Sequence, residues 1–166
     1  MIRKSQNQKG GSAMECKYEK DVREYCDRGT LGNVSVRSFA YGDVYGEFGD
    51  EDLAKIIDSL PALEHVMVLE EPCDCWERYD VKHNDGGHYH SVIRIYEITP
   101  CVYLAVYGDT RESFSMDEFK YMVVWVGEEP LGLVVAKTHD CCHLLKREEL
   151  EGFVKGYEEE GYSIYR

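Results

Sequence analysis

Residues 121–138 read YMVVWV, then Gly127-Glu128-Glu129-Pro130, then LGLVVAKT. Two valine-rich runs of strand length, separated by turn-forming residues, predict a β-hairpin with a longer turn. The flanking sequence repeats the theme. CVYLAVY at 101–107 reads as another strand. Residues 75–98 read as a second hairpin around Asn84-Asp85-Gly86-Gly87, where Asp-Gly is a favoured two-residue turn pair. HVMVL at 65–69 is short, apolar and β-rich, hence a buried strand. In Asn33–Ala40, Val34, Val36 and Ser38 alternate with Ser35, Arg37 and Phe39, as a strand requires.

Helical patterns bracket these strands. In residues 50–60, Leu53, Ile56, Ile57 and Leu60 fall on one helical face. Asp50 stands at the N-cap, Glu51 and Asp52 occupy the first turn where the helix dipole favours them, and Pro61 ends the run. A second helix is expected over 147–160, with Leu150, Phe153, Val154 and Tyr157 inward and Gly161 just past its end. A third is expected over 17–28, with Val22, Tyr25 and Cys26 on one face and Gly29 as its stop. Tyr162–Tyr165 closes the chain as an edge strand. Consecutive strands flanked by separate helices predict an α+β domain: a mainly antiparallel sheet of hairpins with two or three helices packed on one face. Residues 1–13 are polar, lack hydrophobic period and read as a disordered leader, which leaves 14–166 as a single domain.

Charge is the strongest compositional signal. The 166 residues carry 19 Lys plus Arg against 32 Asp plus Glu. Three of the bases, Arg3, Lys4 and Lys9, sit in the acid-free leader, so 16 face 32 in the remainder. A field of that sign repels nucleic acid and anionic membrane and speeds encounter with basic surfaces. No apolar stretch approaches the ~18 residues of a membrane span. The charged N-terminus is followed by no apolar signal region, so the expected compartment is the cytoplasm. The seven cysteines are then expected to be thiols, most of them small buried hydrophobes.

The histidines offer one metal reading. With Asp85-Gly86 as the turn, His83 faces His88 and Val81 faces His90, so His83, His88 and His90 share one face of the hairpin end. Three imidazoles on a strand pair can hold a divalent metal such as zinc with a position left open for water. The same register sets Glu77 opposite Arg94 and puts Cys73 and Cys75 far from this end. His139-Asp140-Cys141-Cys142-His143 is dense in ligand types but fits no metal template. On a strand, Cys141 and Cys142 point to opposite faces, and Cys142 beside His143 is not the spatial arrangement of a nucleophile and its base.

The segment YGDVYGEFGDED at 41–52 is the second candidate. Tyr41, Tyr45 and Phe48 interleave with Asp43, Glu47, Asp50, Glu51 and Asp52, and no base interrupts them. Carboxylates beside exposed aromatics suit an arginine-rich protein surface, charge giving steering and rings giving area and cation–π contact. As a plain solvated loop, the segment would only lead into the helix at 50–60. Its acids lack the spacing of a calcium-binding EF-hand loop. A faint internal echo links Tyr41-Gly42-Asp43 to Tyr107-Gly108-Asp109, each followed by an apolar strand that ends in Glu-Glu-Pro, but the copies differ in spacing.

Phosphate-cradling glycine loops, zinc-protease His pairs and nucleophile-elbow motifs are absent from the sequence. The expectation is therefore an acidic protein-binding module. An inhibitor, immunity or anti-defence protein or DNA mimic has this charge profile, with a basic, nucleic-acid-handling protein as partner. The alternative is a zinc-binding protein or metal-dependent hydrolase using the three histidines.

Overall fold

In the computed structural model, the described residues are 29–72, 90–110 and 115–166. The expected helix over 17–28, the leader, residues 75–89 of the expected hairpin, Cys73, Cys75, His83 and His88 lie outside them. The described part of that hairpin corrects its register: the strand at 91–99 has both edges taken, with Arg94 opposite Val68 and Val106 where Glu77 was expected. Strands β1 (Thr30–Leu31) and β2 (Val34–Ala40) lead into helices α1 (Tyr41–Tyr45) and α2 (Glu51–Ser59). Strands β3 (Met67–Glu70), β4 (Ser91–Thr99), β5 (Val102–Asp109), β6 (Phe119–Val126), β7 (Glu129–Lys137) and β8 (Cys141–Lys146) follow. Helix α3 (Arg147–Glu159) and strand β9 (Ser163–Tyr165) end the chain.

The α+β class holds, but the strands form two sheets where one was expected. A four-stranded sheet has the order β1-β2-β6-β7, and a five-stranded sheet has the order β8-β5-β4-β3-β9. All strand pairings within both sheets are antiparallel. Their facing surfaces share one core, in which Val34, Met122, Val124, Val134 and Ala136 meet Tyr96, Val102, Leu104, Val106 and Leu144. The helices occupy both outer faces. Helices α1 and α2 cover the first sheet through Val44, Ile57, Tyr121, Val123 and Leu133. Helix α3 covers the second through Ala105, Tyr107, Leu145, Val154 and Tyr157. The continuous apolar runs of β5 and β6 have this cause: a strand with a sheet on one side and a helix on the other buries both sets of side chains.

Local chemistry explains the elements. The Asp50 carboxylate accepts from the backbone N–H groups of Asp52 and Leu53, at 3.0 and 3.2 Å, and caps α2 as its sequence predicts. Glu149 accepts from the backbone N–H of Lys146 at 2.9 Å and fixes the start of α3. Gly161 follows α3 with φ 99°, the left-handed conformation a helix end commonly demands. Strand β9 pairs with β3 at the edge of its sheet, as expected.

The β6–β7 turn is shorter than expected. Val126 pairs with Glu129, so Gly127 and Glu128 alone form it, and Pro130 belongs to β7. The register slips by one residue between Val124–Gly132 and Trp125–Pro130, a bulge that tolerates the missing N–H of proline. At the outer edge of β7, Leu63 N–H donates to Leu133 O at 2.9 Å, and Leu133 N–H donates to Pro61 O at 3.0 Å.

Strand β8 was not anticipated as a strand. It joins β5 in register, Tyr107 opposite Cys141 and Tyr103 opposite Leu145. The internal echo has no structural counterpart: Tyr41–Asp43 lies in α1, whereas Tyr107–Asp109 ends β5. Among the described residues, no helix is long and apolar enough to cross a membrane.

Candidate functional site

The expected segment 41–52 is built as a helix, a tight turn and a second helix cap. Tyr41 and Tyr45 lie one helical turn apart and settle against β6. Their rings stand 5.4 Å from one another, and Tyr45 meets Tyr121 edge-on at 5.6 Å. The Tyr45 hydroxyl donates to Asp58 Oδ1 at 2.5 Å. Burial, then this hydrogen bond and the Asp58 charge, push the phenol up to about 12. Both tyrosines therefore serve the helix–sheet layer, and their rings are half-buried. Phe48 has the opposite fate: its relative exposure is 91%.

The acids divide cleanly from these rings. Asp43, Glu47, Asp50, Glu51 and Asp52 are all exposed, and none forms an ion pair with a described lysine or arginine. Asp50 spends one oxygen on its cap. A short 3₁₀ turn, Met116–Glu118, packs beside α1 and adds exposed Asp117 and Glu118 together with Met116, itself 57% exposed. Within residues 41–59 the only base is Lys55. The eight expected partner-binding residues thus fall on adjoining elements of the outer layer, Tyr41 and Tyr45 holding it to the sheet and Phe48 and the carboxylates facing solvent.

Two bases stand on this side of the sheet, Lys55 in α2 and Arg37, which is opposite Val123 on β2, and both are exposed; the ammonium groups of Lys120 and Lys137 turn away from it. Along β6, Tyr121 and Val123 face the helices, while the alternate residues Lys120, Met122 and Val124 face the other way. The Lys120 ammonium donates to the backbone oxygen of Asp140. Lys137, at the end of β7, places its ammonium 2.6 Å from Asp109 Oδ1 and 3.1 Å from the Asp109 carbonyl, at the end of β5. These contacts tie one sheet to the other. His139 Nε2 adds a contact of 3.3 Å to Asp109 Oδ2 and stands 3.8 Å from Asp140 Oδ1.

Asp140 is buried at this rim. Its Oδ2 accepts from the backbone N–H of Lys137 at 3.1 Å, while Oδ1 accepts no hydrogen bond. Burial raises its carboxyl above the ordinary range, against the opposing pull of the Lys137 N–H and of the His139, Lys137 and Lys120 charges. Gly108 makes the room: a Cβ there would lie 2.8 Å from Asp140 Oδ1. This charged rim escaped the sequence reading. Its one visible trace was the polar pair His139-Asp140 between apolar runs.

Strand β8 separates the neighbouring ligand-type residues as strand geometry requires. Cys142 packs into the inter-sheet core and Cys141 against the α3 layer. Burial pushes the Cys142 thiol up to about 12, far from the range of a nucleophilic thiolate. His143 is fully buried on the α3 side, stacked on Tyr107 with ring centres 5.5 Å apart and edge-on to Phe153 at the same separation. Of the proposed metal ligands, His90 alone is described. Its backbone pairs with Thr110 in both directions, at 3.3 and 3.1 Å. Among the described residues, no three His, Cys, Asp or Glu side chains converge to hold a metal ion.

Compared with known proteins, the chain matches no family model, no curated protein and no solved structure.

Proposed function

We propose that the protein is an acidic binding module whose α1–α2 face engages a basic protein surface. Inhibitors and immunity proteins that act on nucleic-acid-handling enzymes belong to the same physical class. The observation that carries this reading is the unpaired state of Asp43, Glu47, Glu51 and Asp52, none of which is in an ion pair even with Lys55 or Arg37 on the same side of the sheet. Exposed acids left without partners keep their field for an incoming cation, and that field accelerates encounter at low ionic strength. Asp43 and Glu47 lie outside α2 and are not needed for it: Asp50 caps it, Glu51 and Asp52 complement its dipole, and its apolar side is fixed by Leu53, Ile57 and Leu60.

The test is affinity capture of partner from lysate at ~50 and ~500 mM salt, where the screening length differs several-fold. The control is the triple variant Asp43→Asn, Glu47→Gln, Asp52→Asn. A partner held at low salt, released at high salt and lost by the triple variant is the expected result. A complex that ignores both salt and the triple substitution overturns the reading.

A further inference from the structure

Phe48 is the most exposed large hydrophobic side chain among the described residues, and folding gives no reason for it. The next, Met116 at 57%, belongs to the turn that packs beside α1, and the others are less exposed than Met116. An aromatic ring with 91% of its surface in water contributes almost nothing to the core. Large aromatics are the side chains most enriched at the centres of protein interfaces.

The backbone beneath Phe48 is held tightly. Gly46 N–H donates to Gly42 O at 3.1 Å, Gly49 N–H donates to Gly46 O at 3.0 Å, and Asp50 N–H donates to Asp43 O at 3.1 Å. A Cβ at Gly46 would stand 2.5 Å from Gly42 O, and one at Gly49 would stand 2.4 Å from Val44 O. Glycine is therefore required on both sides of Glu47-Phe48. The result is a ring presented at the tip of a closed turn that has little conformational freedom left to lose on binding. Glu47 precedes it, Asp50 follows after Gly49, and Asp43 is joined to Asp50 through the backbone.

We infer that Phe48 is the apolar anchor of this face, and that its counterpart is an arginine-rich protein surface carrying aliphatic side chains between the arginines. The inference rests on the reading of the acidic face given above and names the chemistry of its partner. Charge complementarity selects the cations. Arginine fits better than lysine because its flat guanidinium both pairs with carboxylates and stacks on an aromatic ring. The ring itself calls for aliphatic groups, which desolvate it as the surrounding acids are neutralised. Arginine stacking covers one face of the ring, and aliphatic groups are needed to withdraw the rest of it from water.

Two synthetic peptides of equal charge test this, one alternating arginine with leucine and the other alternating arginine with serine. Their affinities are measured by fluorescence anisotropy for the wild type, Phe48→Ala and the triple charge variant, with circular dichroism confirming that each variant is folded. The wild type is expected to bind the arginine–leucine peptide roughly tenfold more tightly, consistent with one buried aromatic contact. Phe48→Ala removes that preference, and the triple variant weakens both peptides alike. If the preference is missing in the wild type, or survives Phe48→Ala, the anchor is overturned while salt-sensitive binding of both peptides still supports the acidic face. If neither peptide binds the wild type in a salt-sensitive way, the acidic face falls and the anchor falls with it.

Discussion

The outer face at α1 and α2 and the rim where the two sheets meet use the same chemical group, the carboxylate, in opposite circumstances. At the rim, the Asp109 and Asp140 carboxylates are largely withdrawn from water; the Lys137 ammonium and His139 hold the first, and the Lys137 backbone N–H holds the second. On the outer face, Asp43, Glu47, Glu51 and Asp52 stand in solvent and form no ion pair with a described lysine or arginine. The difference teaches where charge acts. A buried carboxylate is committed to architecture, since removing its partner leaves a costly uncompensated ion. An exposed one adds little to stability and remains available to something outside the molecule.

Three substitutions press on that contrast in descending order of effect. Lys137→Met removes the ammonium between the sheets and leaves Asp109 facing an apolar chain. A loss of about 3 kcal/mol in denaturant unfolding is expected; a loss below about 0.5 kcal/mol would mean that the rim is no more structural than the outer face. Gly108→Ala drives a methyl group against Asp140 Oδ1, with an expected loss of about 2 kcal/mol. Tyr45→Phe is the mildest, because it removes only an exposed hydroxyl hydrogen bond to Asp58. About 0.5 kcal/mol is expected near neutral pH. The pH dependence sharpens it. The phenol is raised from 10.0 to about 12 in the folded protein, so its stabilisation is complete below pH 10 and is lost as pH rises from 10 towards 12. Tyr45→Phe should lack that alkaline loss, and ultraviolet titration of the phenolate in wild type should show one tyrosine ionising near 12.

Much of this fold is legible in residues read one at a time. Asp50 capping an amphipathic run, valine-rich runs either side of Gly127, and Gly161 after a helical period are local signals, and each produced the element expected. The division into two sheets is not local. A run such as YMVVWV says that both faces of a strand are covered, but not whether a helix or a second sheet covers them. Strand β8 was missed for a related reason: Cys141, Cys142 and His143 carry weak strand propensity, and only pairing with β5 makes them a strand. At the candidate site, the acids and Phe48 were legible because exposure follows from polarity and glycine content. The inward roles of Tyr41 and Tyr45 were not, since they depend on Tyr121, far along the chain. The rim was hidden for the same reason, joining Asp109 to Lys137 across two sheets.

The short crosslink of Pro61 and Leu63 to Leu133 has a consequence for the molecule in concentrated solution. Strand β7 lies at the margin of its sheet and is rich in valine and leucine, the kind of strand onto which a neighbouring chain can add and continue growing as a fibril. The crosslink occupies the main-chain groups at the middle of that margin. A second chain must first peel it away before it can extend the sheet laterally.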